Sequence, residues 1–187
     1  FSGALIVTNS RARADSTNDF GSAVITVQNL GQFWAAGAGV FSHALSLTGI
    51  GWPEAGGNNG ALRLSGGAEL AGAVTLAGDT RLTAVAAVDA GTLSGPVTGA
   101  FAIAKTGAGT VTFSGTAANT YAGPTVVFQG ALTLAKTNAL SVPVDLIFDN
   151  NLSPDVYTLS ESQFAPGTVV TFTNDVGDPG RLELIGT

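Results

Sequence analysis

Short runs of alternating apolar and polar residues, separated by glycines, recur along this chain. The clearest example is the segment 105–134, which reads KTGAGTVTFSGTAANTYAGPTVVFQGALTL. It holds three β-prone runs, at 110–113, 125–128 and 131–134, with no room for a helix between them. The pattern therefore predicts short strands joined by tight corners.

The first of these runs also predicts which side chains are buried. Because side chains alternate across a strand, Val111 and Phe113 should point inward, with Thr110 and Thr112 outward. The corners need backbone angles that glycine reaches without strain. We expect three glycines to lie at bends: Gly109, Gly115 and Gly123.

A short phrase returns irregularly elsewhere in the chain. It reads ALSLTG at 44–49, ALRLSG at 61–66, AVTLAG at 73–78, TVTFSG at 110–115 and ALTLA at 131–135. Each strand is too short to make a core alone, so the apolar faces must stack on neighbouring coils. The prediction is an all-β chain that forms a parallel β-helix (β-solenoid) with irregular coils. A β-sandwich is the alternative, because several short strands with regular turns suit it too.

Residues 105–134 resemble the autotransporter-associated β-strand repeat. The resemblance implies a segment of a parallel β-helix in a secreted bacterial surface protein, and it implies no catalytic residue. The segment departs from the repeat in an insertion at 116–118 and at Pro124. The matching positions are Lys105, Gly107, Gly109, Thr110, Val111, Phe113, Ser114, Gly115, Asn119, Tyr121, Gly123, Thr125, Gly130 and Leu132.

The composition of the chain changes near residue 149, where the Ala-Gly motifs become fewer and prolines and acidic residues become more frequent. We therefore expect a β-solenoid stack over 1–148 and a terminal β subregion over 149–187 on the same stack. Near the start, the apolar run 4–8 predicts a strand. The polar segment 9–21, NSRARADSTNDFG, predicts a solvated loop.

Composition excludes several classes of protein. Only 11% of residues are charged and 45% are hydrophobic, which argues against disorder. The net charge of −6, with scattered basic residues, argues against nucleic-acid binding. No cysteine is present, so disulfides and thiolate metal sites are excluded. No apolar run is long enough for a membrane helix, and none reads as a signal peptide.

The sequence begins at Phe1, as we expect of a processed chain or of a piece of a longer precursor. Together with the resemblance, this favours an extracellular or bacterial cell-surface location. The sequence leaves open whether residues 1–187 form a whole subunit.

Residues that could carry chemistry are few. His43 is the single histidine, and no motif pairs it with a serine and an acid. Asp79, Arg81 and Asp89 are spaced as turn residues rather than as paired carboxylates. We therefore predict no catalytic residue and no cofactor. If an ion binds, calcium is the one to expect, because several turn residues supply oxygen donors. Their spacing matches neither an EF-hand loop nor the glycine-rich nonapeptide repeat, and the favoured interpretation is ordinary turn residues. These donors are Asp149, Asn150, Asn151, Asn174, Asp175 and Asp178.

The function expected from these observations is a non-enzymatic extracellular structural or adhesive solenoid that assembles end to end into a fibre, because the terminal strands lack caps. Its partners would be further copies or neighbouring repeats of the same protein. The predicted assembly residues are Leu5, Ile6, Val7, Leu182, Leu184 and Ile185. The alternatives are a polysaccharide-degrading β-helix enzyme and a carbohydrate-binding module for surface glycans, with stacking faces at Trp34, Trp52 and Tyr121.

Overall fold

The computed structural model of the chain describes residues 1–54, 56–160, 162–173 and 180–185. Within these ranges it contains strands and no α-helix. The strands are β1 (Ala4–Thr8), β2 (Arg11–Ala14), β3 (Val24–Gln28), β4 (Gln32–Ala35), β5 (Gly39–Phe41), β6 (Leu45–Gly49), β7 (Pro53–Glu54), β8 (Gly57–Asn58), β9 (Leu62–Leu64), β10 (Ala68–Leu70), β11 (Val74–Thr83), β12 (Ala90–Leu93), β13 (Val97–Gly99), β14 (Ile103–Thr106), β15 (Thr110–Phe113), β16 (Thr125–Leu134), β17 (Leu146–Thr158), β18 (Val170–Thr173) and β19 (Arg181–Leu184).

The chain winds into a β-solenoid of about seven turns, as predicted. Its strands stack coil upon coil along three faces. The first face contains β1, β3, β6, the start of β11, and β13. The second contains β2, β4, β9, the end of β11, β14, the start of β16, the start of β17, and β18. The third contains β5, β10, β12, β15, the end of β16, the end of β17, and β19.

The pairing between coils decides against the β-sandwich alternative. Every strand pair that joins two coils of the described chain is parallel, whereas a sandwich is built from antiparallel strands. The antiparallel exception is a small hairpin, β7–β8, in which Pro53 lies opposite Asn58. This hairpin is inserted between β6 and β9 and projects from the stack beside the second face.

The core is a set of columns of aligned side chains. In one column Leu93, Phe113 and Leu134 are in register on three successive coils, and each is at most 1% exposed. Val111 is fully buried as well, while Thr110 and Thr112 are partly exposed. The predicted inward and outward faces of this strand are confirmed.

The three predicted corner glycines all lie at bends outside the strands, which confirms their placement. Gly115 has a φ of 84°, in the left-handed region that favours glycine. Gly123 is needed for another reason, because a Cβ there would lie 2.4 Å from the backbone nitrogen of Ala102 on the preceding coil. Close backbone contact between coils thus fixes this corner.

The prediction of a loop over 9–21 is wrong in part. Residues Arg11–Ala14 form β2, which pairs with β4 on the second face. The small side chains of Ala12 and Ala14 face the narrow interior, and Ala14 is fully buried. The arginines point outward, so the segment is polar in composition but alternates like any strand.

The boundary predicted at 148/149 falls inside β17, which spans Leu146–Thr158. The start of β17 pairs with β18 and its end pairs with β19, so the stack continues through the terminal subregion. Among the described residues, no helix is long and apolar enough to cross a membrane.

Candidate functional site

Several polar residues of the 105–134 segment lie inside the solenoid, where they tie coils together. The Lys105 side chain is fully buried, and its ammonium donates to the carbonyl oxygens of Gly107 and Gly109 at 2.6 Å and of Gln129 at 2.8 Å. These three acceptors use all three ammonium donors. Burial lowers the pKa of Lys105 to about 7.

Asn119 also ties coils together, at the neighbouring corner. Its side-chain oxygen accepts from the backbone nitrogen of Val97 on the coil before, at 2.9 Å, and its amide nitrogen donates to the carbonyl of Ser141 on the coil after, at 2.8 Å. Lys136, also fully buried, donates to the carbonyl of Ser114 at 2.8 Å, and burial lowers its pKa to about 8. These side chains stabilise the stack from within and do not face solvent.

The most distinctive surface feature is a stack of aromatic and cationic groups outside the second face. Register places Arg13, Trp34 and Arg63 side by side on three successive coils. The guanidinium carbons of Arg13 and Arg63 lie 4.2 Å and 3.9 Å from the centre of the indole, within cation–π range. The indole nitrogen of Trp34 donates to Ser65 at 2.9 Å. The ring is thereby held by partners within the chain.

The β7–β8 hairpin contacts these aromatic and cationic groups through Glu54. The Glu54 carboxylate pairs with Arg11 and with Arg63, the latter at 3.1 Å, and it accepts from the Asn59 amide at 2.8 Å. Two guanidinium groups therefore neutralise this one carboxylate. Arg13 pairs in turn with Asp15 at 2.6 Å.

Beside the hairpin the second face forms a cleft of about 390 Å³. Arg81 lies in its wall and donates to the backbone carbonyl of Asn58 at 3.0 Å. Among the described residues, Arg81 has no carboxylate partner and its buried Nε has no hydrogen-bond acceptor. Burial lowers the pKa of Arg81. The remaining lining residues are Glu54, Gly56, Gly57, Asn58, Asn59, Thr83, Val85, Thr106, Gly107 and Gln129.

The cleft runs along the solenoid axis. Its lining comes from the hairpin, then from Arg81 and Thr83 on β11, then from Thr106 in register with Thr83 on the next coil, and then from Gln129 one coil further. With strands about 4.8 Å apart, the two steps from β11 to β16 span about 10 Å. The site is thus elongated, lined by both polar and apolar residues, and bordered by a cationic group near one end.

The structure treats the three predicted stacking aromatics differently. The stacking role predicted for Tyr121 is wrong, because this side chain is 1% exposed and its hydroxyl bonds Thr125 at 2.6 Å inside the core. Trp34 is half-buried and lies between two guanidinium groups, so its ring faces are occupied. Trp52 is partly exposed next to the hairpin. The structure does not bring the three aromatics together into one binding platform.

The other predicted candidates lie apart from the cleft or serve the backbone. His43 is 5% exposed and packs near Phe33, and neither ring nitrogen has a hydrogen-bond partner in the described part of the chain. The carboxylates of Asp79 and Asp89 accept backbone hydrogen bonds from Ala102 and Ala86, each at 3.0 Å.

No group of three or more metal-binding side chains occurs in the described ranges. Of the six possible calcium donors, Asn174, Asp175 and Asp178 lie outside the described residues.

Sequence reasoning missed the role of the arginines. The sequence pattern predicts a loop at Arg11 and Arg13, and Arg63 occurs there only as one residue of a repeated motif. The signal that was available is compositional, since Arg63 and Arg81 break otherwise uncharged apolar runs at outward positions.

Comparisons with known protein families, curated proteins and solved structures found no match.

Proposed function

We propose that this β-solenoid is a non-enzymatic structural or adhesive element of an extracellular bacterial surface, and that its coils stack end to end with further coils. These come from a second copy of the chain or from neighbouring repeats of the same protein. Lys105, Asn119 and Lys136 support the proposal, because their buried side chains form hydrogen bonds that hold the coils together and make the stack rigid.

The observation that carries the proposal is the state of the two end coils. Among the described residues, β1 pairs with β3 alone and β19 pairs with β17 alone, so each end strand has an open hydrogen-bonding edge. At the last coil Leu184 lies in register with the buried Thr158, yet Leu184 is 71% exposed. An inward-facing leucine without a neighbour favours the addition of another coil.

The predicted assembly residues divide into two groups by orientation. Leu5 and Val7 are in register with the buried Ile25 and Val27, so they face the core and its end surface. Leu182 packs against the core at the other end, next to the exposed Leu184 and Ile185. Ile6 differs, because it points out from the first face and is 61% exposed. Ile6 is therefore unsuited to the joint predicted for it.

This orientation gives a matched pair of variants for the test. Residues 1–187 are concentrated and examined by sedimentation velocity and electron microscopy. We expect polymers that Leu184→Lys disrupts, because a charge would enter the joint between copies. Ile6→Lys adds the same charge on the outer surface and should leave the polymers intact. A chain that stays monomeric at high concentration contradicts self-assembly, and polymers insensitive to Leu184→Lys contradict the proposed joint.

A further inference from the structure

We propose that the cleft between the β7–β8 hairpin and the second face binds an acidic polysaccharide, with Arg81 pairing with a carboxylate or sulfate group of the sugar chain. The inference goes beyond the structural function, because it assigns a ligand class to the side of the solenoid rather than to its ends.

The distribution of charge supports an anionic ligand. The chain carries a net charge of −6, yet four of its five arginines gather outside the second face: Arg11, Arg13, Arg63 and Arg81. Two carboxylates, Glu54 and Asp15, pair with the first three. Asp19, whose carboxylate accepts from the backbone of Asp15, and Asp79, which lines a neighbouring pocket with Arg81, bring the nearby negative charges to four, equal to the four arginines. This patch is therefore balanced in charge on an acidic protein, and it repels an anion less than the surrounding surface does.

Arg81 is the group in this patch that is best placed to bind the anion. It borders the cleft, lacks a carboxylate partner among the described residues, and has one side-chain hydrogen bond, to a backbone carbonyl. Its Nε is buried without an acceptor, which leaves a charged donor unsatisfied. The planar guanidinium fork matches a carboxylate or sulfate in two parallel hydrogen bonds. A bound anion in the cleft would accept from the terminal guanidinium nitrogens, because Nε is buried and closed to a ligand.

Glu54 also borders the cleft, and a carboxylate would repel an anion. Its charge is already opposed by Arg11 and Arg63, and the Asn59 amide donates to the same group. Glu54 therefore holds the hairpin against the stack and forms the cleft wall. The two arginines that pair with Glu54 offset its repulsion of a bound anion.

The shape of the cleft favours an extended polyhydroxylated chain over a small ion. It is about 390 Å³ in volume and follows the solenoid axis over about 10 Å from β11 to β16, as the strand spacing gives. Past Arg81 its uncharged lining includes the polar residues Thr83, Thr106 and Gln129 together with the apolar Val85. One cation followed by neutral hydrogen-bonding groups suits one acidic group on a sugar chain.

The test uses two matched pairs of polymers, with binding to residues 1–187 measured by affinity electrophoresis and calorimetry. Polygalacturonate is compared with its fully methyl-esterified form, and dextran sulfate is compared with dextran. We expect binding to at least one anionic member and none to the neutral members. Binding to polygalacturonate alone assigns a carboxylate, and binding to dextran sulfate alone assigns a sulfate. Equal binding of charged and neutral polymers, or no binding at all, overturns the proposal.

Variants then locate the site. Arg81→Gln should weaken binding at least tenfold, since it removes the unpaired cation. Arg181→Gln is the matched control, because it removes the same charge from the third face, where Arg181 pairs with Asp155. Binding weakened equally by both variants would indicate a diffuse charge effect and overturn the assignment.

A second variant guards against a folding defect in Arg81→Gln. Gly56 lines the cleft and has open space around an added Cβ, so Gly56→Phe should block the cleft without disturbing the stack. We expect it to abolish binding while the midpoint of thermal unfolding stays unchanged. Full binding by a folded Gly56→Phe would overturn the site. Failure here is distinct from failure of end-to-end assembly, because Leu184→Lys reports on the end coil and leaves the cleft untouched.

Discussion

Replacing Phe113 by alanine tests whether the solenoid core is a set of columns that cannot collapse. Phe113 is fully buried between Leu93 on the coil before and Leu134 on the coil after, each in register with it. These neighbours are held by their own strand pairings at a fixed spacing, so they cannot close the space that the ring leaves. Large-to-small substitution at such a site costs about 3–5 kcal/mol of unfolding free energy.

The assay is equilibrium urea unfolding followed by circular dichroism, with thermal unfolding as a second measurement. For a chain of this size, the expected loss corresponds to a fall of about 6–20 °C in the unfolding midpoint. Thr112→Ala is the control, because Thr112 lies on the same strand and points outward, so it should change stability by less than about 1 kcal/mol. A loss below about 1 kcal/mol for Phe113→Ala would refute the fixed-column reasoning.

Two further predictions concern the polar ties inside the stack. Because burial lowers the pKa of Lys105 from 10.5 to about 7, the unfolded chain binds more protons than the folded chain between these values. The unfolding free energy should therefore rise with pH across this window, by up to about 1.4 kcal/mol per pH unit, and Lys105→Met should reduce the slope; parallel pH profiles would contradict this. Asn119→Ala should cost about 1–3 kcal/mol for each of the two backbone groups it leaves buried and unpaired, while Thr120→Ala, at an exposed position, should change urea stability little. Equal losses for these two alanine variants would show that the Asn119 bridge contributes nothing.

Much of the strand plan could be predicted from the sequence, because alternation of side chains is a local property. The strand 4–8 and the inward positions Val111 and Phe113 follow from a period of two residues. The bends at Gly115 and Gly123 follow from the position of these glycines between the alternating runs. The repeated phrase also showed that the strands must stack, since none buries a core alone.

The candidate site could not be predicted, because its groups meet only through the register of separate coils. Arg13, Trp34 and Arg63 are unevenly spaced along the chain and become neighbours when β2, β4 and β9 pair. The repeated phrase gave no guide, since it lies on the first face in β6 and on the second in β9. Coils of unequal length shift the phrase from face to face.

Burial of polar groups was likewise decided by the tertiary structure. The sequence offers Tyr121 as an aromatic able to stack on a ligand, and Lys105 only as a matching position of the repeat. The stacked coils bury both side chains. Backbone carbonyls accept from the Lys105 ammonium, and the Thr125 hydroxyl bonds the Tyr121 hydroxyl. Sequence determined the alternation of each strand because that depends on neighbouring residues. Coil register determined the cleft and the internal ties because those depend on which distant segments lie one strand spacing apart.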